Sequence, residues 1–402
     1  MTLLLIGTDK ADITPATPLP LAGFTHRVGE YEGVAAEIYA RTLVMETIDS
    51  RTNESDIAIL VSADLLGWGE ESAATMSRQC ESRFGVKKER CIFHATHSHS
   101  GPQTSIKLEA LLGLLNPDYL AWLEEQVLKS IERALAKREE VTMEKGVGEC
   151  SIGIHRRKMV GGSMVMAPNP DEAIDRDVTV IRFMTRQHYP KAFLVHYTCH
   201  PTTSDHNKIS SEFPGAAMSL LEEEWEPDVI ALFLQGFCGD VRPNLVKDGE
   251  FCRGTQTEID MFGKQLADAV TSVLTSPMQA IHAQPIRETS RVVQLHYHHS
   301  PSFVELRVNL LQISDQLSFL AASGELVSEY GLWVKRRSEG TVLSLGYCNG
   351  LLGYIPTARQ ISEGGYESMD SFPFFGLEGP FADHVESIVY SELEDMFRIS
   401  ML

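Results

Sequence analysis

The sequence predicts an α/β protein of mixed β-sheets flanked by helices, and three observations carry that prediction. Short apolar runs rich in β-branched and aromatic residues recur along the chain, each closing on a polar turn. Amphipathic helical patterns lie between these runs. Two later segments alternate apolar and polar residues, which implies that part of the sheet is antiparallel. The runs at 57–62, 91–93, 192–195 and 229–234 read as buried strands. Helices are expected over 72–84, 117–138 and 257–275; the second carries Leu120, Trp122, Leu123, Val127, Ile131 and Leu135 at helical spacing. The alternating segments, 292–297 and 303–313, read as half-exposed strands. No internal repeat, low-complexity tract or linker divides the chain, so residues 1–402 read as a single catalytic domain.

Composition narrows the function. A chain of 402 residues, 43% hydrophobic and 22% charged, is an ordinary folded protein. Its net charge of −20 opposes non-specific contact with nucleic acid or an anionic membrane. No apolar stretch approaches the roughly 20 residues that span a bilayer, so membrane insertion is not expected. The first seven residues lack a basic region, and Asp9 and Asp12 follow, so no signal peptide is expected. Seven cysteines without a CxxC pair suit free thiols in a reducing compartment, the cytoplasm by default. The expected partner is a small-molecule substrate, with homo-oligomerisation left open. Absence of GxGxxG, Walker-type and GxSxG patterns weakens dinucleotide, nucleotide and α/β-hydrolase readings.

The chemistry-bearing residues cluster after the apolar runs. Ala95-Thr96-His97-Ser98-His99-Ser100-Gly101-Pro102 places two histidines two apart, so in an extended segment both would project the same way. Neutral imidazole is a common zinc ligand, and a second histidine nearby can move a proton or polarise a carbonyl. A polar loop, or one core histidine with two exposed ones, is the bland alternative. His200, before Pro201, follows another apolar run and adds a second candidate ligand at a strand end. Glu325 follows a small-residue turn, and Tyr354 lies boxed by turn formers, which by chemistry alone reads as a packed aromatic. Gly236, Gly239, Asp240 and Asn244 suggest a tight loop after a strand.

Several of these segments, in this order, resemble the neutral (non-lysosomal) ceramidases and their bacterial relatives. Gly7-Thr8-Asp9-Lys10-Ala11-Asp12-Ile13-Thr14-Pro15 is similar to the family's opening strand and turn, and Tyr39-Ala40-Arg41 to the next strand. The resemblance implies a ceramidase-like catalytic fold and a zinc site of His97, His200, Glu325 and Tyr354. It also implies that His99, Tyr366 (in Gly364-Gly365-Tyr366-Glu367) and Arg156 (in His155-Arg156-Arg157) act on the substrate carbonyl. Arg156 is chosen over Arg157. Three departures bear on substrate. Arg242, in Gly239-Asp240-Val241-Arg242-Pro243-Asn244, stands where ceramidases carry a serine. Val34-Ala35-Ala36 lacks a histidine usual near that turn, and the immunoglobulin-like C-terminal domain is not expected. Arg242 and Asn244 are therefore read as substrate-binding, Arg242 toward a carboxylate or phosphate, with an ion pair to one of the 55 acidic residues as its alternative. The implied activity is zinc-dependent hydrolysis of a linear amide, on a small or anionic N-acyl substrate rather than ceramide. Ester or lactam hydrolysis, or a metal-binding relative without turnover, are the alternatives.

Overall fold

The structure is a computed structural model that describes residues 2–225 and 228–400. The chain opens with β1 (Thr2–Asp12), β2 (Tyr39–Asp49), β3 (Ser55–Ala63), α1 (Glu70–Phe84) and β4 (Cys91–Ala95). After α2 (Glu109–Leu112) and α3 (Pro117–Ala136) come β5 (Glu139–Glu149), the hairpin of β6 (Gly153–Val160) and β7 (Ser163–Asn169), β8 (Asp177–Thr185) and β9 (Pro190–Tyr197). Next are α4 (Glu212–Glu224), β10 (Ile230–Gln235), β11 (Val241–Pro243), β12 (Val246–Lys247), β13 (Glu250–Phe251), α5 (Gln256–Leu274) and β14 (Gln279–Ile281). The last third holds β15 (Arg287–His296), β16 (Phe303–Ser314), β17 (Leu317–Ala322), β18 (Glu325–Leu326), α6 (Ser328–Arg337) and β19 (Val342–Leu345). It closes with β20 (Tyr354–Ile355), α7 (Ala358–Glu363) and α8 (Val385–Ser400).

Four layers result. A nine-stranded sheet runs β10-β9-β8-β5-β1-β2-β3-β4, with β14 added beside β5. One face is covered by α1, α3, α4 and α5, and the other by the four-stranded sheet β15-β16-β17-β19, whose outer face carries α6 and α8. The alternation of side chains along each strand accounts for this. In β9, Phe193, Val195 and Tyr197 face the helices while Ala192 and Leu194 face the second sheet. The smallest residue on β1, Gly7, lets α3 lie close: a Cβ there would stand 1.8 Å from the Ala134 carbonyl oxygen.

Each expected helix and strand is present, with two differences in surroundings. Antiparallel pairing starts at once, in β1-β2-β3, and is not confined to the later part. The second half of β16 is packed on both sides, Leu311 and Ile313 inward and Val308 and Leu310 toward α8, so only its start is half-exposed. All seven cysteines are free, six of them buried. Among the described residues no helix is long and apolar enough to cross a membrane.

For function, what matters is where strands end. Gln235, the last residue of β10, donates through its side chain to the carbonyls of Thr96 (3.1 Å) and Cys199 (2.8 Å) and accepts from Cys199 N–H (3.0 Å). Its own backbone N–H donates to His94 Nε2 at 2.9 Å. The loops leaving β4 and β9 are thereby knotted together. The backbone of 346–349 closes the knot from the second sheet, through Gly346 N–H to Gln235 O (3.1 Å) and Ala95 N–H to Tyr347 O (3.2 Å).

Candidate metal centre

His97 lies two residues beyond β4 with φ +68°, a left-handed conformation that costs a non-glycine residue about 1–3 kcal/mol and persists where the surroundings impose it. The segment is thus not extended, and the expectation that His97 and His99 project alike from a strand fails. They converge instead, rings edge-on at 86° with Nε2 atoms 3.1 Å apart. His97 stacks on Tyr347 at 3.9 Å and donates Nδ1–H to Leu66 O at 2.6 Å. His200, three residues beyond β9, donates Nδ1–H to Cys238 O at 2.7 Å. His99 donates its own to Gly23 O at 3.0 Å; a Cβ at Gly23, where φ is +105°, would meet His99 Nδ1 at 2.8 Å, so this close approach needs glycine. His94 is the core histidine of the segment, fully buried against Ser62 and held down to about 3 by burial and by His196.

With every Nδ1 committed to a carbonyl, the Nε2 atoms of the three rings face one point. The three sets of donor atoms lie within 4.8 Å of one another. Glu325 Oε2 joins them, 3.3 Å from His97 Nε2 and 3.2 Å from His200 Nε2. Imidazole nitrogens and a carboxylate oxygen converging at such distances are the donor set that a metal site requires. Glu325 and Tyr354 reach it from the parallel pair β18–β20, in which they are register partners and so point the same way. The Tyr354 hydroxyl is 3.4 Å from His200 Nε2. Although burial alone would raise Glu325, His97 and His200 hold its carboxyl well below the usual range. Burial, then Arg156, lowers His200 to about 4; burial with His97 and His200 lowers His99 as well, so these rings stay neutral and able to ligate. Burial pushes the Tyr354 hydroxyl up, opposed by Arg156.

Around this centre Arg156 and Arg157 grip the two oxygens of Glu367, each at 2.7 Å. The Arg156 guanidinium sits over the rings of Tyr354 (5.4 Å) and Tyr366 (5.6 Å), and its Nη2 is buried with no partner. Arg157 turns away to Gly364 O and Glu363. His155 anchors the same strand from behind through Asp240 at 3.2 Å; that contact raises His155 despite burial and depresses Asp240 far below its ordinary value despite burial. Tyr366 opens a single π-type turn, packs edge-on to Tyr354 at 5.5 Å, and is pushed up to about 12 by burial. His97, His200, Glu325 and Tyr354 are buried; His99 and Tyr366 are partly exposed, so approach from solvent crosses those two.

The two residues read as substrate-binding part company. Arg242 is buried, its Nε without a partner, beside the Phe251 ring (4.3 Å) and Met166 Sδ (4.0 Å). No described carboxylate pairs with it, which removes the ion-pair alternative among those residues. Asn244 is exposed, and its bond is that of its backbone N–H to Ile152 O at 2.7 Å.

Two contributors escaped the sequence reading. Tyr347, φ +57°, stacks on His97 and brings its hydroxyl 3.4 Å from Glu325 Oε2 and 3.1 Å from Cys238 Sγ. Gln235 ties the two histidine loops together. Neither has a local signal: a buried Tyr-Cys pair and a strand-terminal Gln read as packing.

Comparison with known proteins identifies the family and the fold. The family model described as neutral/alkaline non-lysosomal ceramidase, N-terminal, matches residues 4–276, a span holding His97, His99, Arg156, His200 and Arg242. The structure resembles that of neutral ceramidase from Pseudomonas aeruginosa with a TM-score of 0.79 at 17% identity, covering 98% of this chain and 73% of that one. A second solved structure, a ceramidase complexed with C2, gives 0.78 at 16% identity, covering 96% and 73%. At such identity these two establish the fold alone. No curated protein matches the sequence. The model's match over more than half its length means that the chain belongs to the neutral/alkaline non-lysosomal ceramidase family of hydrolases.

Proposed function

We propose that the chain is a zinc-dependent hydrolase of a linear carbon–nitrogen (amide) bond, acting on a small or anionic N-acyl substrate rather than ceramide. The observation that supports this most is the convergence of three imidazole Nε2 lone pairs and a carboxylate oxygen on one buried point. Imidazole, carboxylate and phenol oxygen are donors that suit zinc. His97, His200, Glu325 and Tyr354 would hold it. When bound, the ion supplies Lewis-acid polarisation of the carbonyl and lets water attack near neutral pH.

The remaining steps fall to side chains. The unpartnered Arg156 Nη2 and the Tyr366 hydroxyl are donors for the carbonyl oxygen as charge develops on it, a role worth about 10²–10³ in rate per donor. The bond from His99 Nδ1 to Gly23 leaves Nε2 as an acceptor, which favours His99 as carrier of the proton over a direct donor to the oxyanion. Nε2 takes a proton from the attacking water as the new C–O bond forms, then returns it to the departing nitrogen as the C–N bond breaks. Seven free thiols support a reducing, cytoplasmic setting, and the charge of −20 supports a small-molecule substrate over nucleic acid or membrane insertion.

Metal analysis of the purified protein tests the reading: stoichiometric zinc is expected, and His97→Ala and His200→Ala are expected to lose it. Unchanged metal content in both variants would overturn the site. Turnover of N-acyl amino acids, N-acyl sugars, lactams, esters and ceramide by the zinc-loaded protein then assigns the bond. Cleavage of esters or lactams alone would replace the amide reading, and an empty panel with zinc in place would favour a binding protein.

A further inference from the structure

β6 and β11 are antiparallel neighbours in which Arg242 stands opposite Ile154 and Val241 opposite His155. Arg156 lies two residues beyond the partner of Arg242, at a register irregularity, and its N–H donates to Asp240 O at 2.9 Å, so the two arginines are diagonal neighbours across this ribbon. Each keeps one buried guanidinium nitrogen without a protein partner, Nη2 of Arg156 and Nε of Arg242. They differ in compensation. Glu367 neutralises Arg156 at 2.7 Å, whereas Arg242, 6% exposed, has only an aromatic face and a thioether beside it. Arg253 approaches from the other side. It lies over Phe24 at 4.7 Å, and Phe24 packs on His99 at 5.1 Å, so Arg253 borders the same mouth. Its Nη1 donates to Thr202 O at 3.0 Å and its Nε is 3.6 Å from Asp205 Oδ2.

Burial, and then the nearby charges of Arg253 and Arg156, disfavour the cationic form of Arg242. A guanidinium does not shed its proton at physiological pH, so the cost is relieved by an arriving anion and not by titration. In a protein of net charge −20, an uncompensated buried cation near Arg156 and Arg253 is a local exception that favours negative ligands.

We infer that Arg242, with Arg253 beside it, seats an oxyanion of the substrate, a carboxylate or phosphate, while Arg156, its diagonal neighbour on the adjoining strand, addresses the scissile carbonyl. The substrate class is therefore an N-acyl compound that carries an oxyanion within the span of two neighbouring strand positions, about 7 Å, from that carbonyl. Assignment of the carbonyl to Arg156 rests on the amide-hydrolase reading; the anion seat rests on Arg242 itself.

Calorimetric titration of the metal-loaded protein with N-acetylglycine, its neutral amide N-acetylglycinamide, and inorganic phosphate tests this. Wild type is expected to prefer N-acetylglycine to the amide by about tenfold or more, the worth of one charge-assisted bond. Arg242→Gln is expected to abolish the preference, Arg242→Lys to retain part of it, and Arg253→Gln to weaken it. Stronger binding of phosphate than of N-acetylglycine would assign the seat to phosphate. Circular dichroism and Tm confirm folding; should Arg242→Gln fail to fold, a reduced preference in Arg242→Lys and Arg253→Gln carries the test, and an unchanged preference in both overturns the inference. The inference is overturned if wild type binds anion and amide alike, or if a folded Arg242→Gln keeps the preference, since anion capture by the metal alone survives that change. An Arg242-dependent preference without turnover of any amide would leave the seat standing and remove the amide reading. Equal turnover of neutral and anionic amides would do the reverse.

Discussion

Tyr347 does two jobs at one position, stacking on His97 and directing a hydroxyl at Glu325, so it contacts a donor from the loop after β4 and one from β18. Partners that orient ligands typically contribute about 10–100-fold to metal affinity. Tyr347→Phe keeps the stack and loses the hydroxyl, and is expected to weaken zinc binding by about tenfold, read by competition with chelators of graded strength. Unchanged affinity would assign the positioning to the stack alone. At this scale the sequence was legible where histidines follow apolar runs: His97, His99 and His200 all lie in the centre. Tyr354 was not, since 11 tyrosines offer no local way to choose, and Glu325 stood out among 55 acidic residues only modestly, by its small-residue turn; the resemblance supplied both ligand assignments. Arg242 was visible as an oddity, and its lack of a carboxylate partner needed coordinates.

Strand and helix positions follow from periodicity, yet their pairing does not. The nine-stranded sheet places β10 and β4 at opposite edges and then brings their ends together through Gln235 and His94, a long-range closure that no window of sequence encodes. What local sequence does dictate is fit. Gly7 is where α3 presses on β1, so Gly7→Ala forces a methyl group into the Ala134 carbonyl and is expected to cost about 1–3 kcal/mol, seen as a lower urea midpoint. Gly379→Ala, where a Cβ meets nothing within 4 Å, is the control and should leave the midpoint unchanged. An equal effect of both would mean that α3 is not seated on Gly7 in solution.

Across the whole molecule, the donor set joins two layers. His97 and His200 leave the nine-stranded sheet, while Glu325 and Tyr354 come from the segments around the second sheet. An ion there would act as a clasp between layers, and its removal is expected to lower Tm; at free zinc 100-fold above Kd the linkage would be worth about 2.7 kcal/mol. His99→Ala separates ligand from catalyst: zinc content and the chelator-induced fall in Tm are expected to persist while turnover collapses. Loss of zinc in that variant would make His99 a ligand, an arrangement its distance to His97 also permits.

The clasp has a consequence for how the protein is made. As the chain emerges from the ribosome, the first two histidines are available by residue 200, yet the remaining two donors arrive only at 325 and 354. For more than a hundred residues of synthesis the nascent protein would carry half of the proposed donor set. Full affinity for the ion would come only once residue 354 has been made, so a product cut short before Glu325 would have the histidines but not the whole donor set.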